Sequence, residues 1–211
     1  MNASSNIVSS CIKGQAEIAI RLIARPAEFF RDMPRTGGML DPLLFIVMTA
    51  MLDVLLASAE SFVSHGAGLH DVTMMFGGLI VAPLIAVILS FFVAGLFYSI
   101  WSFMGSNENY ETSYRCMAYV QILLPITVLL SIVPYLGLLG IAWWLYLMLI
   151  ASREVHKTAA KPALLVFGAI AVLSSLVYYS SVSSALKSKE HLQELTRELQ
   201  KMPERSGTGS Q

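Results

Sequence analysis

The sequence predicts an all-α polytopic integral membrane protein: a bundle of five transmembrane helices with an N-terminal amphipathic helix and a C-terminal helical extension. Apolar residues make up 55% of the 211 residues and charged residues only 13%, whereas a soluble domain usually carries about 25% charged residues. The mean hydropathy is +0.65. Lys and Arg are nearly absent from several long stretches, as expected of membrane spans.

Composition also argues against several functional classes. The net charge is zero, and no cluster of basic residues alternates with aromatics, so we expect no nucleic-acid partner. Cys11 and Cys116 are far apart and form no CxxC pair, which predicts neither a disulfide framework nor a zinc site. The first forty residues carry charges throughout and contain no uninterrupted apolar run typical of a cleavable signal peptide. There is no GxSxG, HExxH or P-loop motif, so the sequence predicts neither an enzyme nor a cofactor.

The N-terminal segment, residues 1–40, is predicted to contain the amphipathic helix. Apolar residues recur on one face at Ile12, Ala16, Ala19, Ile20 and Ile23. Charged residues of alternating sign follow a four-residue spacing at Lys13, Glu17 and Arg21. This pattern fits a helix lying on the membrane surface, and equally one packed against the spans.

The transmembrane domain is predicted over residues 41–185. Its first span begins at Asp41 and Pro42, a capping residue followed by a proline at the first helical position, and runs to about Val63. The second lies within Met74 to Met104, where Gly77, Gly78 and Pro83 indicate a tilted or broken beginning.

The remaining spans follow closely on one another. The third covers about Thr112 to Val133 and the fourth Tyr135 to Ala151, and the short VPYLG connection between them requires a tight helical hairpin. The fifth runs from Pro162 to about Ala185. The count becomes four or six if the second span is split or the hairpin is re-entrant.

The tail, residues 186–211, is predicted to continue as a helix and then to be disordered in the final SGTGSQ. Apolar residues at coiled-coil a and d positions are Leu192, Leu195, Leu199 and Met202. Because two heptads could pair with a second copy, self-association through this helix is a candidate property.

Basic residues predict the orientation. Those before the first span are Lys13, Arg21, Arg25, Arg31 and Arg35. The connections between spans one and two and between spans three and four contain none, whereas Arg115, Arg153, Lys157 and Lys161 share the side of the N-terminus. The positive-inside rule then places the N-terminus in the cytoplasm, with the basic and acidic tail as the exception.

Three segments carry a resemblance to a known family. They are PAEFFRDMPRTGG from Pro26, ETSYRCMAY in the third span, and IVPYLGLLGIAWWLYLMLIASREVHK around the fourth. In order and spacing they resemble the Yip domain family, five-span membrane proteins named for their interaction with Ypt/Rab GTPases. The resemblance covers about residues 21–184 and implies a compact five-helix bundle with a cytoplasmic N-terminus.

The resemblance is to the compact bacterial branch, which implies a bacterial inner membrane. Eukaryotic relatives carry a long cytosolic N-terminal region and an Asp-Leu-Tyr-Gly-Pro motif, and this sequence shows neither. Because bacteria lack Rab-driven vesicle traffic, the eukaryotic role is not carried over.

Charged and aromatic residues at the cytoplasmic ends of the spans are predicted to form one cluster. Its members are Arg31, Arg35, Glu111, Tyr114, Arg115, Arg153, Glu154 and Lys157. Tyr114 and Tyr119 also suit an interfacial aromatic belt. One interpretation is an ion-pair network that fixes helix register; the other is a binding site for membrane lipid headgroups or protein partners.

Two carboxylates, Asp53 and Glu60, lie inside the first span, and Gln121 is expected at a depth where it could hydrogen-bond Asp53. Charged groups at such depth usually face protein or water. His65, His70 and Asp71 follow in the external segment and could form the mouth of an ion path. A small ion or proton channel or transporter is therefore the alternative to a non-enzymatic scaffold or adaptor, which we take as the prediction.

Overall fold

The computed structural model describes the backbone of residues 2–66 and 68–201 and the side chains of residues 13–63 and 68–198. All regular structure in this part of the chain is helical. The elements are α1 (Asn2–Ala24), α2 (Pro26–Asp32), α3 (Leu40–His65), α4 (Leu69–Phe103), α5 (Tyr110–Val120), α6 (Leu123–Ser131), α7 (Leu138–Glu154) and α8 (Ala160–Lys201).

The helix α1 packs differently from the predicted stripe. Leu22 is fully buried, while Ile20 and Ile23 of the predicted apolar face are 66% and 36% exposed. The end of α1 is therefore anchored in the bundle by Leu22 and by Ala19, which packs against the core, while Ile20 and Ile23 remain open to the surroundings. Exposed apolar side chains beside the spans suit contact with lipid.

The start of α3 corrects the predicted cap. The helix begins at Leu40 with Met39 as N-cap, and no side chain caps it. Asp41 thus lies within the first turn, and Pro42 is accommodated there because the first four N–H groups of a helix have no intrahelical partner. The helix ends at His65, and the C-cap Gly66, with a φ of 82°, leaves the helical region.

The helix α4 runs unbroken for 35 residues through Gly77, Gly78 and Pro83. A broken beginning of the second span is therefore wrong. At 1.5 Å per residue its length is about 52 Å. Pro83 removes one backbone hydrogen bond, but it is buried, and packing holds the helix together across the gap.

The third predicted span consists of two helices, α5 and α6. The break falls at Gln121 and Ile122, whose N–H groups bond to carbonyls three residues earlier, at 3.2 and 3.3 Å. Pro125 explains the position, because a proline cannot donate to the carbonyl four residues before it, that of Gln121, and its ring clashes with that carbonyl.

Within the residues that the structure describes, four segments are long and apolar enough to cross a membrane. They are Leu40–Val63, Leu69–Phe103, Tyr110–Ser131 and Ala160–Glu198. The fourth predicted span corresponds to α7, which begins at Leu138 rather than Tyr135 and has 17 residues. Because α7 is not among these segments, the count of five is not confirmed.

The predicted fifth span and its extension form one helix, α8, of 42 residues. Leu192 and Leu195 of the predicted coiled-coil stripe are exposed. The side chain of Leu199, the whole of Met202 and the final SGTGSQ lie outside the described residues.

The protein interior is built around α5. All nine residues from Thr112 to Val120 are buried, and the helix is in contact with α1, α3, α4 and α7. The largest fully buried side chains around it include Phe30, Phe45, Trp101, Tyr114 and Phe167. Large exposed apolar side chains lie instead along the outward faces of α4 and α8, as expected where a helix faces lipid.

Candidate functional site: a charged junction at one end of the bundle

Arg115 lies at the centre of a charged junction where α5 meets the segment before α3. Its side chain is only 3% exposed. The Nε group donates to Glu111 Oε1 at 3.4 Å, and Nη2 donates to the carbonyl of Gly38. The N–H of Gly38 in turn donates to Glu111 Oε1 at 2.8 Å. Glu111 and Arg115, one helical turn apart, thus form hydrogen bonds to both the N–H and the carbonyl of Gly38.

Residues at the start of α5 also bind Arg35, through a hydrogen bond and an ion pair. Asn109 caps the helix by accepting a hydrogen bond from the N–H of Thr112 at 2.8 Å, the usual role of Asn at this position. The hydroxyl of Thr112 donates to the carbonyl of Arg35 at 3.1 Å. The guanidinium of Arg35 pairs with Glu108. The segment between α2 and α3 is therefore held by both its side chains and its backbone.

Two further ion pairs join neighbouring helices. Arg31 at the end of α2 pairs with Glu154 at the end of α7 at 3.2 Å. Arg21 of α1 pairs with Asp32 of α2, also at 3.2 Å, and both side chains are more than half exposed. Exposed pairs of this kind contribute little stability each, so α1 and the arginine heads remain available to the surroundings.

The structure brings together most of the predicted cluster but not all of it. Arg31 meets Glu154, and Arg115 meets Glu111. Arg153 and Lys157 are exposed and form no ion pair among the described side chains. Tyr114 lies elsewhere: it is fully buried, and its hydroxyl is 3.0 Å from Ser90 Oγ.

An interfacial belt of Tyr114 and Tyr119 is therefore wrong. Tyr119 is 4% exposed, and its ring packs edge-on against Phe29 and Phe45. Both phenols are core side chains, since α5 is enclosed by its neighbours.

A buried histidine network was not predicted. The ring of His156 stacks on Trp101 with centroids 3.8 Å apart, and its Nδ1 is 2.9 Å from Ser106 Oγ. The indole N–H of Trp101 donates to Ser152 Oγ at 2.9 Å. Burial, with a smaller contribution from the positive charge of Arg35, lowers the pKa of His156 to about 3. The imidazole is therefore neutral.

No local signal pointed to this network. Its members come from the end of α4, the following loop and the end of α7, and they meet only in three dimensions. In the charged junction, by contrast, the sequence does signal Asn109 as a helix cap, since Asn before a helical run is a capping signal, and Glu108 directly precedes it.

The intramembrane polar residues do not form one site. Asp53 is half-buried, and its Oδ1 is buried without a hydrogen-bond partner among the described residues. No hydrogen bond joins it to Gln121, which instead lines an apolar cavity of about 280 Å³ with residues of α5, α6, α7 and α8. The predicted bond between them is wrong. Glu60 is exposed.

The external residues are partly engaged in local structure. Asp71 accepts a hydrogen bond from the N–H of Gly68 at 3.2 Å at the start of α4, and another from Ser61 of α3 at 3.5 Å. His70 is exposed, and the side chain of His65 lies outside the described residues. Among the described residues no group of three His, Cys, Asp or Glu is placed to hold a metal ion.

These features define a polytopic helical membrane protein with a charged junction at one end of its bundle. The model of the Yip1 domain matches residues 20–182. The chain therefore belongs to the Yip1 domain family, and the resemblance noted in the sequence is confirmed. The family is not a known enzyme family, and it is associated in general with membranes and with Rab/Ypt proteins. Neither the curated proteins nor the solved structures give a match to the chain.

Proposed function

We propose that this protein is a non-enzymatic membrane scaffold or adaptor that binds lipid headgroups or protein partners through its charged junction. The observation that carries the proposal is the fixed backbone around Gly38, held by the buried Arg115 and the partly buried Glu111. Beside this anchored backbone, the guanidinium groups of Arg21 and Arg31 remain exposed. A rigid, positively charged surface at the headgroup level suits anionic lipids and acidic partners.

We place this surface in the cytoplasm and count five spans. Apart from the tail, basic residues lie in the N-terminal segment, at Arg115 and around the connection between α7 and α8. The connections between α3 and α4 and between α6 and α7 carry none, which supports a cytoplasmic N-terminus. The helix α7 has 17 residues, about the shortest length that crosses hydrocarbon. The resemblance to the compact branch of the family supports a bacterial inner membrane.

The test removes exposed positive charge without disturbing the junction. Arg153 and Lys161 are exposed and form no ion pair among the described side chains. We expect the Arg153→Gln, Lys161→Gln variant to lose the enrichment of phosphatidylglycerol around the protein in nanodiscs of mixed phosphatidylglycerol and phosphatidylcholine. Retained lipid is counted by native mass spectrometry.

The matched control is Lys187→Gln, Arg197→Gln, which removes the same charge from the far end of α8. Because these positions are remote from the junction, the control should keep the enrichment. Equal retention of phosphatidylglycerol by the wild type, the test variant and the control would contradict lipid binding at this surface. Binding of a protein partner would then be measured at the same surface.

A second candidate function rests on Asp53. Its Oδ1 is buried without a hydrogen-bond partner in the described structure, and a carboxylate in this state inside a span is typical of proton and ion pathways. The small channel or transporter thus remains a candidate with Asp53 as its central group. Ion flux through the reconstituted protein separates it from the scaffold.

A further inference from the structure

A crevice of about 380 Å³ opens between α1, α2, α3 and α5 beside the charged junction. Its polar lining contains two guanidinium groups, two carboxylates, an amide and a phenol, from Arg21, Arg115, Asp32, Asp41, Gln15 and Tyr119. Two formal positive charges thus face two negative ones. The volume falls within the range of about 300–1,000 Å³ that is usual for small-molecule sites.

Two acceptors on the crevice wall lack partners. Asp41 forms no ion pair among the described side chains, unlike Asp32, which pairs with Arg21. The side-chain oxygen of Gln15 is buried and accepts no hydrogen bond from the described residues. Buried polar groups are normally paired, which applies to the Gln15 oxygen, and the exposed carboxylate of Asp41 adds a negative charge beside it. The wall is therefore suited to a cationic ligand that donates N–H groups.

An apolar cavity of about 240 Å³ adjoins the crevice through Gln15, which lines both. Asp41 and Leu44 line the crevice, whereas Phe45, Met48 and Leu52 line the apolar cavity. The apolar cavity therefore lies further along α3, toward the interior of the span. A polar compartment at the membrane surface thus continues into an apolar compartment directed at the hydrocarbon. This arrangement is complementary to an amphiphile, whose polar head and apolar tail would fill the two compartments.

We infer that the crevice binds a zwitterionic phospholipid whose headgroup carries a primary ammonium, as in phosphatidylethanolamine. The phosphate lies toward the guanidinium groups of Arg21 and Arg115, and the ammonium donates to Asp41 and Gln15. One acyl chain occupies the apolar cavity. The inference rests on the proposed function, because the crevice adjoins the charged junction, and it assigns to the crevice a lipid class distinct from the anionic lipids expected at the exposed surface.

The charges of the crevice discriminate against other headgroups. Asp32 and Asp41 would repel a purely anionic headgroup, since like charges in one site disfavour each other. A choline headgroup has a positive charge but no N–H to donate to Asp41 and Gln15. Of the three headgroups, only phosphoethanolamine combines a positive charge for Asp41 with N–H donors for both Asp41 and the Gln15 oxygen.

The test uses the purified full chain in detergent and three short-chain lipids with phosphoethanolamine, phosphocholine and phosphoglycerol headgroups. We expect the phosphoethanolamine lipid to bind about tenfold more tightly than the other two, the usual effect of one hydrogen bond to a charged group. Soluble phosphoethanolamine and inorganic phosphate should bind more weakly than the lipid, because they leave the apolar cavity empty.

The variant Asp41→Asn should reduce binding of the phosphoethanolamine lipid to the level of the phosphocholine lipid and leave the latter unchanged. Asp32→Asn supplies a second carboxylate variant, and thermal unfolding without lipid shows that each protein is folded. The control is Arg25→Gln, because Arg25 is exposed, among the described side chains pairs only with the neighbouring Glu28, and does not line the crevice. It should bind like the wild type.

Tighter binding of the phosphoglycerol lipid, or equal binding by wild type and Asp41→Asn, would overturn the inference. If phosphatidylglycerol enrichment still depends on Arg153 and Lys161 in that case, the proposed function stands and only the crevice assignment fails. If that dependence is missing as well, lipid binding by the junction fails with it.

Discussion

The guanidinium of Arg115 donates to the carbonyl of Gly38, 77 residues earlier in the chain. This bond joins the centre of the bundle to the segment that leads into its first span. Because Glu111 accepts from the N–H of the same glycine, one residue of the segment is held on both sides. Helix α5 and the N-terminal segment therefore form one structural unit.

Replacing Arg115 with Gln should lower stability. The substitution leaves Glu111 and the carbonyl of Gly38 without their cationic donor, and loss of hydrogen bonds to a charged group with little exposure costs about 1.5–3 kcal/mol. We expect a lower unfolding temperature in detergent for Arg115→Gln, measured by intrinsic fluorescence.

The matched control is Arg25→Gln, which removes a pair with 73% and 59% exposed side chains. Exposed pairs are worth at most about 1 kcal/mol, so its unfolding temperature should stay near that of the wild type. Unchanged stability of Arg115→Gln with altered lipid binding would instead identify Arg115 as a ligand-binding residue.

Stability should fall as the pH is lowered below the ordinary pKa of histidine. Burial lowers the pKa of His156 in the folded state to about 3, whereas the unfolded chain retains a value near 6.5. Above pH 6.5 His156 is neutral in both the folded and the unfolded protein, so it contributes no pH dependence of stability in that range. Below it only the unfolded state binds the proton, and stability declines by up to about 1.4 kcal/mol per pH unit.

The decline should be visible between about pH 5 and 6.5, below the unfolded pKa of histidine and above the folded pKa of His156. Denaturant unfolding of wild type and His156→Asn over this range provides the measurement. The variant should be less stable at neutral pH but show a shallower slope. Parallel slopes in the two proteins would exclude His156 as the cause.

The sequence predicted the helical class, the membrane location and the Glu111–Arg115 pair, because each depends on composition or on local spacing. The hydrogen bonds that this pair forms with Gly38 were not predictable, because Gly38 and Arg115 are brought together only by the packing of helices that are distant in the sequence. Tyr114 was misplaced for a related reason. A phenol suits both an interface and a core with a nearby hydroxyl, and only the position of Ser90 on α4 decides between them.

Close packing of α6 against α7 should make Gly140→Ala destabilising. A Cβ at this position would lie 2.4 Å from Thr127 Oγ1 and 3.2 Å from Thr127 Cβ. Overpacking of this kind costs about 1–3 kcal/mol. We expect a lower unfolding temperature for Gly140→Ala, with partial recovery in the double variant Gly140→Ala, Thr127→Ala.

The control is Gly168→Ala in α8, where a Cβ would meet nothing within 4 Å. Alanine favours a helix over glycine by about 1 kcal/mol, so this variant should be as stable as the wild type or more so. Equal destabilisation by both substitutions would show that the α6–α7 contact is not the cause.

The scaffold and the channel make opposite predictions for Asp53. The carboxylate is half-buried with one orphaned oxygen, Glu60 is exposed, and Gln121 lines a separate cavity. Because these polar groups do not line one continuous path, we expect no flux of protons or divalent cations in proteoliposomes containing the wild type. Asp53→Asn should be equally silent and at least as stable, since a neutral amide is less costly inside a span than a carboxylate. Glu60→Gln serves as the exposed control. Flux in the wild type that disappears in a folded Asp53→Asn protein, but persists in Glu60→Gln, would make Asp53 part of a conduction pathway and would replace the scaffold by the channel.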